Sequence, residues 1–259
     1  MRLFGLIGYP LTHSFSEQYF DTKFKKENLV NNLYRNFPLE QIDMFPALIS
    51  ENSNLVGLNV TTPYKETIIP FLDELDETAQ AVNAVNTILI SSLNTNVIKL
   101  KGFNTDVHGF RQSIKPFLSS LHERALILGT GGAAKAVEYV LKTIGVDCVF
   151  VTQKKNRLNP NWIIGKTILS YEELNFHVID ACKLIVNCTP VGTFPNVNLC
   201  PEIPYDSITE KHFLYDLIYN PAESEFLKRG KFHGAQTMNG LDMLKMQAEK
   251  SWGIWNKIP

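Results

Sequence analysis

The 259-residue sequence predicts an α/β protein of two domains, each built on a mostly parallel sheet. Three observations lead there. Apolar runs of strand length alternate with helix-like segments, which implies parallel strands joined by right-handed crossovers. The alternation starts twice, at the N-terminus and again near Asp106. The two halves also end their strands differently: the first half in Asn, Ser, Thr, Lys and Asp, the second in a glycine-rich turn.

In chain order, "LFGLIGY" reads as a strand, followed by a helix from Ser16 to about Lys26 with Ser16 as its candidate cap. "LYRNFPL" is a strand, Gln41 to Glu51 a helix, and "LVGLNV" a strand leading into a helical "YKETIIPFL". "AVNTILI" and "VIKLKGF" form two strands joined by the polar turn "SSLNTN". The second alternation runs from helix "DVHGFRQSIKPFL" to strand "RALILG". Helix "AAKAVEYVLKTIG" follows and ends on Gly145, where a C-terminal glycine belongs. Strands "DCVFVT", "KLIVNCT" and "HFLYDLI" come next, and a helix from Gly240 to Trp255 closes the chain. The expected domains are 1–103 plus 240–259, with the C-terminal helix packing back on the first sheet, and 104–239.

Lys and Arg number 25 against 26 Asp and Glu, a net charge of −1, which gives no basis for nucleic acid or an anionic membrane as partner. No apolar run reaches the roughly 18 residues of a membrane span. The start "MRLFGLIGYPLTHS" breaks at Gly8-Tyr9-Pro10 and lacks a small-residue cleavage site, so it reads as a strand of a cytoplasmic protein and not as a signal peptide. Cys148, Cys182, Cys188 and Cys200 include no C-x-x-C pair and read as reduced thiols, with no metal site. Without a secretion signal, the sequon matches at Asn59 and Asn187 read as chance.

The second half carries the sharper motif. Gly129-Thr130-Gly131-Gly132-Ala133-Ala134 fits G-x-G-x-x-A between a strand and a helix, the context of a Rossmann-type dinucleotide site. Gly129 allows the tight turn, Gly131 lets backbone approach a pyrophosphate, and small Ala134 lets the helix pack closely. The helix N-terminus then offers free N–H groups and a partial positive charge. The bland alternative is a structural glycine turn. The next strand ends in Val151-Thr152-Gln153-Lys154-Lys155-Asn156-Arg157, with cations and no acid. A carboxylate there would hold the ribose hydroxyls of NAD, whereas Lys and Arg attract a 2′-phosphate. That favours NADP over NAD; a basic surface turn is the bland reading.

The first half carries a polar constellation. Lys65 follows "LVGLNV" through Asn59, Thr61, Thr62 and Pro63, at the strand end where open α/β sheets bind ligands. Alone, Lys65 reads as a solvated surface lysine and Asp106 as an N-cap. Asn86-Thr87, Asn104-Thr105-Asp106 and the serines of "GYPLTHSFS" lie at comparable strand ends, and their convergence suggests a pocket for a small polyhydroxylated acid.

These pieces occur in one order: "GYPLTHSFS", "NVTTPYK", "AVNT", "GFNTD", "GTGGAA", "VNCTPVG", "DLIYNP" and "NGLDMLKMQA". In that order they resemble the shikimate dehydrogenase family over nearly the whole chain. The resemblance implies a substrate domain and a Rossmann-type NADP domain, working as a monomer or homodimer. The implied reaction is the reversible reduction of 3-dehydroshikimate to shikimate in aromatic amino-acid biosynthesis. Lys65 and Asp106 match the catalytic pair. Ser14 and Ser16 would bind the substrate carboxylate, Asn59, Thr61, Asn86 and Gln247 the ring hydroxyls, and Tyr219 would close over the substrate. For NADP, Gly129, Thr130, Gly131, Gly132 and Ala133 would take the pyrophosphate. Glu77, Thr189, Leu217, Gly240 and Met243 would line the reactive half, and Thr152, Lys154 and Arg157 the adenosine side.

Three departures stand out. Glu17 replaces a frequent proline, and its carboxylate suits a first helical turn. Thr152-Gln153-Lys154 replaces Asn-Arg-Thr, so 2′-phosphate recognition falls to Lys154, Lys155 or Arg157. The stretch from Lys154 to Tyr171 is short for the usual helix. His13 is an alternative base. Competing readings are a quinate/shikimate dehydrogenase using NAD and a non-catalytic sensor, though a sensor should have lost Lys65 or Asp106. A tetrahydrofolate-linked dehydrogenase is opposed by "HSFS" and "GFNTD".

Overall fold

In the computed structural model the described residues are 1–11, 15–92, 98–153 and 155–257, without the side chains of Ser92 and Arg157. Most of the expected "SSLNTN" turn, with His13, Ser14 and Lys154, lies outside them. The chain divides into two compact units, Met1–His108 with Gln247–Pro259, and Gly109–Met246. The divisions fall inside helices, a few residues beyond the loops near 103 and 239, because Asp106 and Gln247 both bond into the first unit.

The first unit is built on β1 (Arg2–Gly8), β2 (Asn32–Pro38), β3 (Leu55–Val60), β4 (Glu74–Leu75), β5 (Thr87–Ser92) and β6 (Ile98–Phe103), in the order β2-β1-β3-β5-β6-β4. β1 pairs parallel with β2 and β3, and β4 with β6, while β5 runs antiparallel to both neighbours. Alternation along β1 sends Leu3 and Ile7 to one face, against Phe45, Leu48 and Ile49 of α2 (Phe45–Glu51). It sends Phe4 and Leu6 to the other face, against Phe20 and Phe24 of α1 (Phe15–Lys26) and Trp252 and Trp255 of the C-terminal helix (Leu241–Trp255).

That helix docks through a glycine. A Cβ on Gly57 of β3 would lie 2.1 Å from Trp255 Nε1, which donates to Ile88 O at 3.0 Å. Any side chain at residue 57 must expel the indole. Gly57→Ala is expected to cost about 2–3 kcal/mol, as overpacking does, measured as a fall in the urea midpoint with unchanged slope; an unshifted midpoint would refute the packing account.

The expected helix over "YKETIIPFL" is not formed. Pro70 has no N–H to give Glu66, four residues back, and its ring crowds that carbonyl. The segment runs instead as turns into a 3-10 turn at Ile69–Phe71. A helix that the apolar pattern does not announce, α3 (Glu77–Val82), starts where Asp76 caps Ala79 N at 2.9 Å.

The second unit contains β7 (Arg124–Leu128), β8 (Asp147–Val151), β9 (Thr167–Leu169), β10 (Leu184–Asn187), β11 (Phe213–Asp216) and β12 (Gln236–Met238). All pair parallel, in the order β12-β11-β10-β7-β8-β9. The order reverses between β7 and β10, which creates the crevice where doubly wound sheets take ligands. The helices are α4 (Asp106–Ile114, entering from the first unit), α5 (Gly132–Thr143), α6 (Pro160–Ile163), α7 (Phe176–Ala181) and α8 (Glu225–Phe232). Gly145 takes φ +80° just past α5, as expected of it. After β8 the described residues form a 3-10 turn at Lys155–Arg157 and the four-residue α6, shorter than a full crossover helix. β9, β12, α7 and α8 are not read from the sequence, although Asn175 and Ser224 announce α7 and α8 as N-caps.

Candidate active site

Lys65 lies five residues beyond β3, in a segment stitched to its neighbours. Val60 N donates to Asn86 O at 2.9 Å, Val85 N to Lys65 O at 2.7 Å, and Asn86 N to Phe103 O at 3.0 Å. These bonds hold the polar ends of β3, β5 and β6 together. Lys65 Nζ then meets Asp106 Oδ2 at 2.5 Å, with side chains 18% and 8% exposed. Asp106 is not the cap of α4. Asn104 Oδ1 takes Val107 N at 3.3 Å, and the second oxygen of Asp106 accepts from Asn86 Nδ2 at 2.9 Å. An ammonium and a carboxylate are thus fixed together at a site that water reaches only in part.

Beneath the pair lies a buried hydrogen-bonded bed. Asn59 accepts from Tyr34 OH at 2.8 Å and donates toward Asn86 O, Thr87 Oγ1 and Ser251 Oγ at 3.2, 3.2 and 3.0 Å. Asn59, expected to hold a ring hydroxyl, is buried and makes these bonds inside the protein. Gln247 Oε1 accepts from Thr105 Oγ1 at 3.2 Å and from Asn86 Nδ2 at 3.4 Å. Thr61 is locked by backbone bonds to Ile7 and Tyr64. Ser16 is not a cap but a buried residue of the first turn of α1, hydrogen-bonded to Tyr34. Glu17 receives Asn36 Nδ2 at 2.6 Å. Glu77 opens α3 with its side chain exposed. Ser14 and His13 lie outside the described residues.

The second unit places its candidates just past successive strands. Gly129 follows β7 with φ +103°, a conformation that L side chains rarely adopt. Thr130 continues the turn, and α5 starts at Gly132 and Ala133 on an N-cap, Gly131, that has no side chain to cap the first N–H groups. A Cβ on Gly131 would meet nothing within 4 Å, so the hydrogen leaves open space over a 12-residue helix N-terminus. That cradle fits a pyrophosphate. Thr152 follows β8 and is buried. Thr189 follows β10, Leu217 follows β11, and Gly240 follows β12. A Cβ on Gly240 would sit 2.1 Å from Leu217 O, so only glycine allows this approach. Met243 is buried on the C-terminal helix, and Tyr219 lies half-buried after β11.

A buried relay shapes these loops. Thr189 N and Oγ1 donate to Asn187 Oδ1 at 3.0 and 2.6 Å, and Asn187 Nδ2 donates to Asp216 Oδ1 at 3.0 Å. Asp216 also accepts from Ile218 N at 3.0 Å and from Ser224 Oγ. Burial outweighs these donors and pushes the Asp216 carboxyl up to about 6. The folded state therefore favours the protonated acid. That contribution to stability is complete below the unfolded value near 4 and lost as pH rises through about 6. The unfolding free energy of Asp216→Asn relative to the parent should rise between pH 4 and 7, by on the order of 3 kcal/mol. Urea titrations at both pH values test this, and a difference independent of pH would refute it.

Known proteins bear on this geometry. The family described as shikimate dehydrogenase substrate binding domain matches residues 6–88. A shikimate dehydrogenase (NADP(+)) of Carboxydothermus hydrogenoformans is 37% identical over 99% of this chain and 92% of its own length. The chain belongs to the shikimate dehydrogenase family. The crystal structure of shikimate dehydrogenase 1 from Peptoclostridium difficile matches with TM-score 0.86 at 38% identity, covering 99% of this chain and 92% of that one. The Thermus thermophilus enzyme, in complex with NADP(H) and shikimate, matches with TM-score 0.83 at 28% identity over 99% and 94%.

Within this shikimate dehydrogenase family member, the basic turn after β8 departs from what its cations suggested. Lys155 is bonded to Glu173, and that ammonium holds the exposed Glu173 carboxyl down at about 2, helped by Ser170 N. Lys155 is thereby committed within the protein. Lys154 and the Arg157 side chain lie outside the described residues. Sequence reasoning placed Thr87 and Thr105 among the polar strand ends but missed Ser251, whose hydroxyl joins theirs beneath the pair. Among the described residues no helix is long and apolar enough to cross a membrane, and no group of three His, Cys, Asp or Glu could hold a metal ion.

Proposed function

We propose that the protein is an NADP-dependent shikimate dehydrogenase, interconverting 3-dehydroshikimate and shikimate in aromatic amino-acid biosynthesis in the cytoplasm. The observation that carries this reading is the Lys65–Asp106 pair at 2.5 Å, set at the polar strand ends of the first unit. In the direction of reduction, Lys65 Nζ gives a proton to the carbonyl oxygen as it becomes the alcohol. In oxidation, Lys65 takes the hydroxyl proton back. Asp106 holds the ammonium in place, and Asn86 holds Asp106. Bound NADPH supplies the hydride.

Asn86, Gln247 and Thr61 would hold the ring hydroxyls, and Tyr219 is the further residue that the family resemblance assigns to the substrate. Ser14 with Ser16 serves the carboxylate. Gly129 to Ala133 take the pyrophosphate on the α5 N-terminus, and Thr152, Lys154 and Arg157 the 2′-phosphate side. Glu77, Thr189, Leu217, Gly240 and Met243 serve the nicotinamide half. The test is an absorbance assay at the nicotinamide band with shikimate or quinate, each with NADP+ or NAD+. Shikimate with NADP+ should give the highest kcat/KM. Turnover in none of the four combinations would overturn the reading, and preference for quinate with NAD+ would replace it.

A further inference from the structure

Two carboxamides carry the polar contacts around the Lys65–Asp106 pair, and a carboxamide works only with the right end facing the right way. Asn86 Oδ1 accepts from Thr105 N at 2.7 Å and from Thr87 Oγ1 at 3.2 Å, and lies 3.1 Å from Thr105 Oγ1, whose single hydrogen goes to Gln247. A backbone N–H can only donate, so the oxygen of Asn86 must face Thr105 and its NH2 must face Asp106. Gln247 Oε1 accepts from Thr105 Oγ1 at 3.2 Å and from Asn86 Nδ2 at 3.4 Å, which turns the NH2 of Gln247 away from this contact.

Thr105 thus touches both oxygens. It is 2% exposed, and its hydroxyl also lies 3.2 Å from Thr87 Oγ1 and 3.1 Å from Ser251 Oγ. The loop that carries it is pinned on either side, since Asn104 Nδ2 donates to Ala84 O at 2.9 Å and Asn104 Oδ1 accepts from Val107 N.

We propose that Thr105 is the positioning residue of this site: through its backbone N–H and hydroxyl it sets the faces of Asn86 and Gln247. Asn86 then presents N–H to Asp106, and Gln247 presents N–H to the hydroxy acid. The inference rests on the functional reading above for its kinetic consequence, but not for its geometry. Thr105→Val keeps the branched shape and the backbone N–H and removes only the hydroxyl. Gln247 Oε1 is left with the longer Asn86 contact and its carboxamide can turn.

The test compares Thr105→Val and Thr105→Ser in the parent and in Gln247→Ala. T105V should lower kcat/KM for shikimate about tenfold, the order of one buried hydrogen bond, and T105S should restore it to within about threefold. In the Q247A background T105V should cost less than about threefold, because its effect passes through Gln247. NADP+ affinity, read by fluorescence titration, should not change. In the ligand-free protein the side-chain NH2 NMR signals of Asn86 and Gln247 should shift in T105V and return in T105S. Full turnover in T105V, equal losses in both backgrounds, or unmoved NH2 signals would each overturn the proposal. The NH2 signals need no substrate, so a parent protein inactive on shikimate would sink the functional reading and leave this one standing or falling by itself.

Discussion

Lys65→Ala is expected to lower kcat for shikimate oxidation by about 10²-fold or more, the usual weight of a positioned acid–base group. Among the described residues Lys65 Nζ is the one ammonium bonded to Asp106, and Asn86, the other partner of that carboxylate, has no proton to exchange at neutral pH. The fold should survive. The side chain is partly exposed, its backbone carbonyl keeps the bond from Val85 N, and Asp106 keeps Asn86. The loss should therefore appear in kcat far more than in thermal midpoint or NADP+ affinity. Stopped-flow absorbance and a melting curve on the same sample decide it. Near-parental turnover would remove Lys65 from the reaction, and a collapse of the melting transition would recast the pair as structural.

The second large effect concerns the cradle in the other unit. Gly131→Asp should push two measurements in opposite directions. Residue 131 is the N-cap of α5, with φ −78° and ψ −175°, which any residue can adopt. Aspartate is a better N-cap than glycine by a few tenths of a kcal/mol, and its charge favours the helix N-terminus. A Cβ there meets no protein atom within 4 Å. Stability should hold or rise by up to about 1 kcal/mol. The new carboxylate would at the same time fill the space left for the pyrophosphate and repel it, so NADP+ affinity should fall about 10²-fold. Calorimetric titration with NADP+ beside a urea curve separates the two. Undiminished affinity would show that the dinucleotide does not rest on this helix. Substitution at Gly129 makes a useful contrast: its φ of +103° and the Thr189 methyl 3.2 Å from a Cβ put the cost into folding instead.

Much of the site can be read along the chain because its chemistry is concentrated in short segments. The glycines between β7 and α5, the lysine after β3 and the Asn-Thr-Asp before α4 each sit at a strand end, and a strand end is where an α/β sheet offers groups to a ligand. The same segments could not say what their side chains do. Asp106 and Asn104 are both competent helix caps within three residues of each other. Only the folded loop gives the capping to Asn104 and leaves the Asp106 carboxylate for Lys65. Asn59 looks like a ligand in sequence and is buried on Tyr34, Thr87 and Ser251 once β2, β3 and the C-terminal helix close around it. Lys155 looks like a free cation and is tied to Glu173, eighteen residues away.

What the sequence determined by itself, then, was the two runs of alternating longer strands and helices and the reactive residue types at their ends, because these follow from local periodicity and turn chemistry. The tertiary structure alone decided which polar groups are spent inside the protein and which remain to act. That choice depends on distances between segments far apart in the chain. A buried amide or carboxylate bonds whatever donor or acceptor the packing brings within about 3 Å.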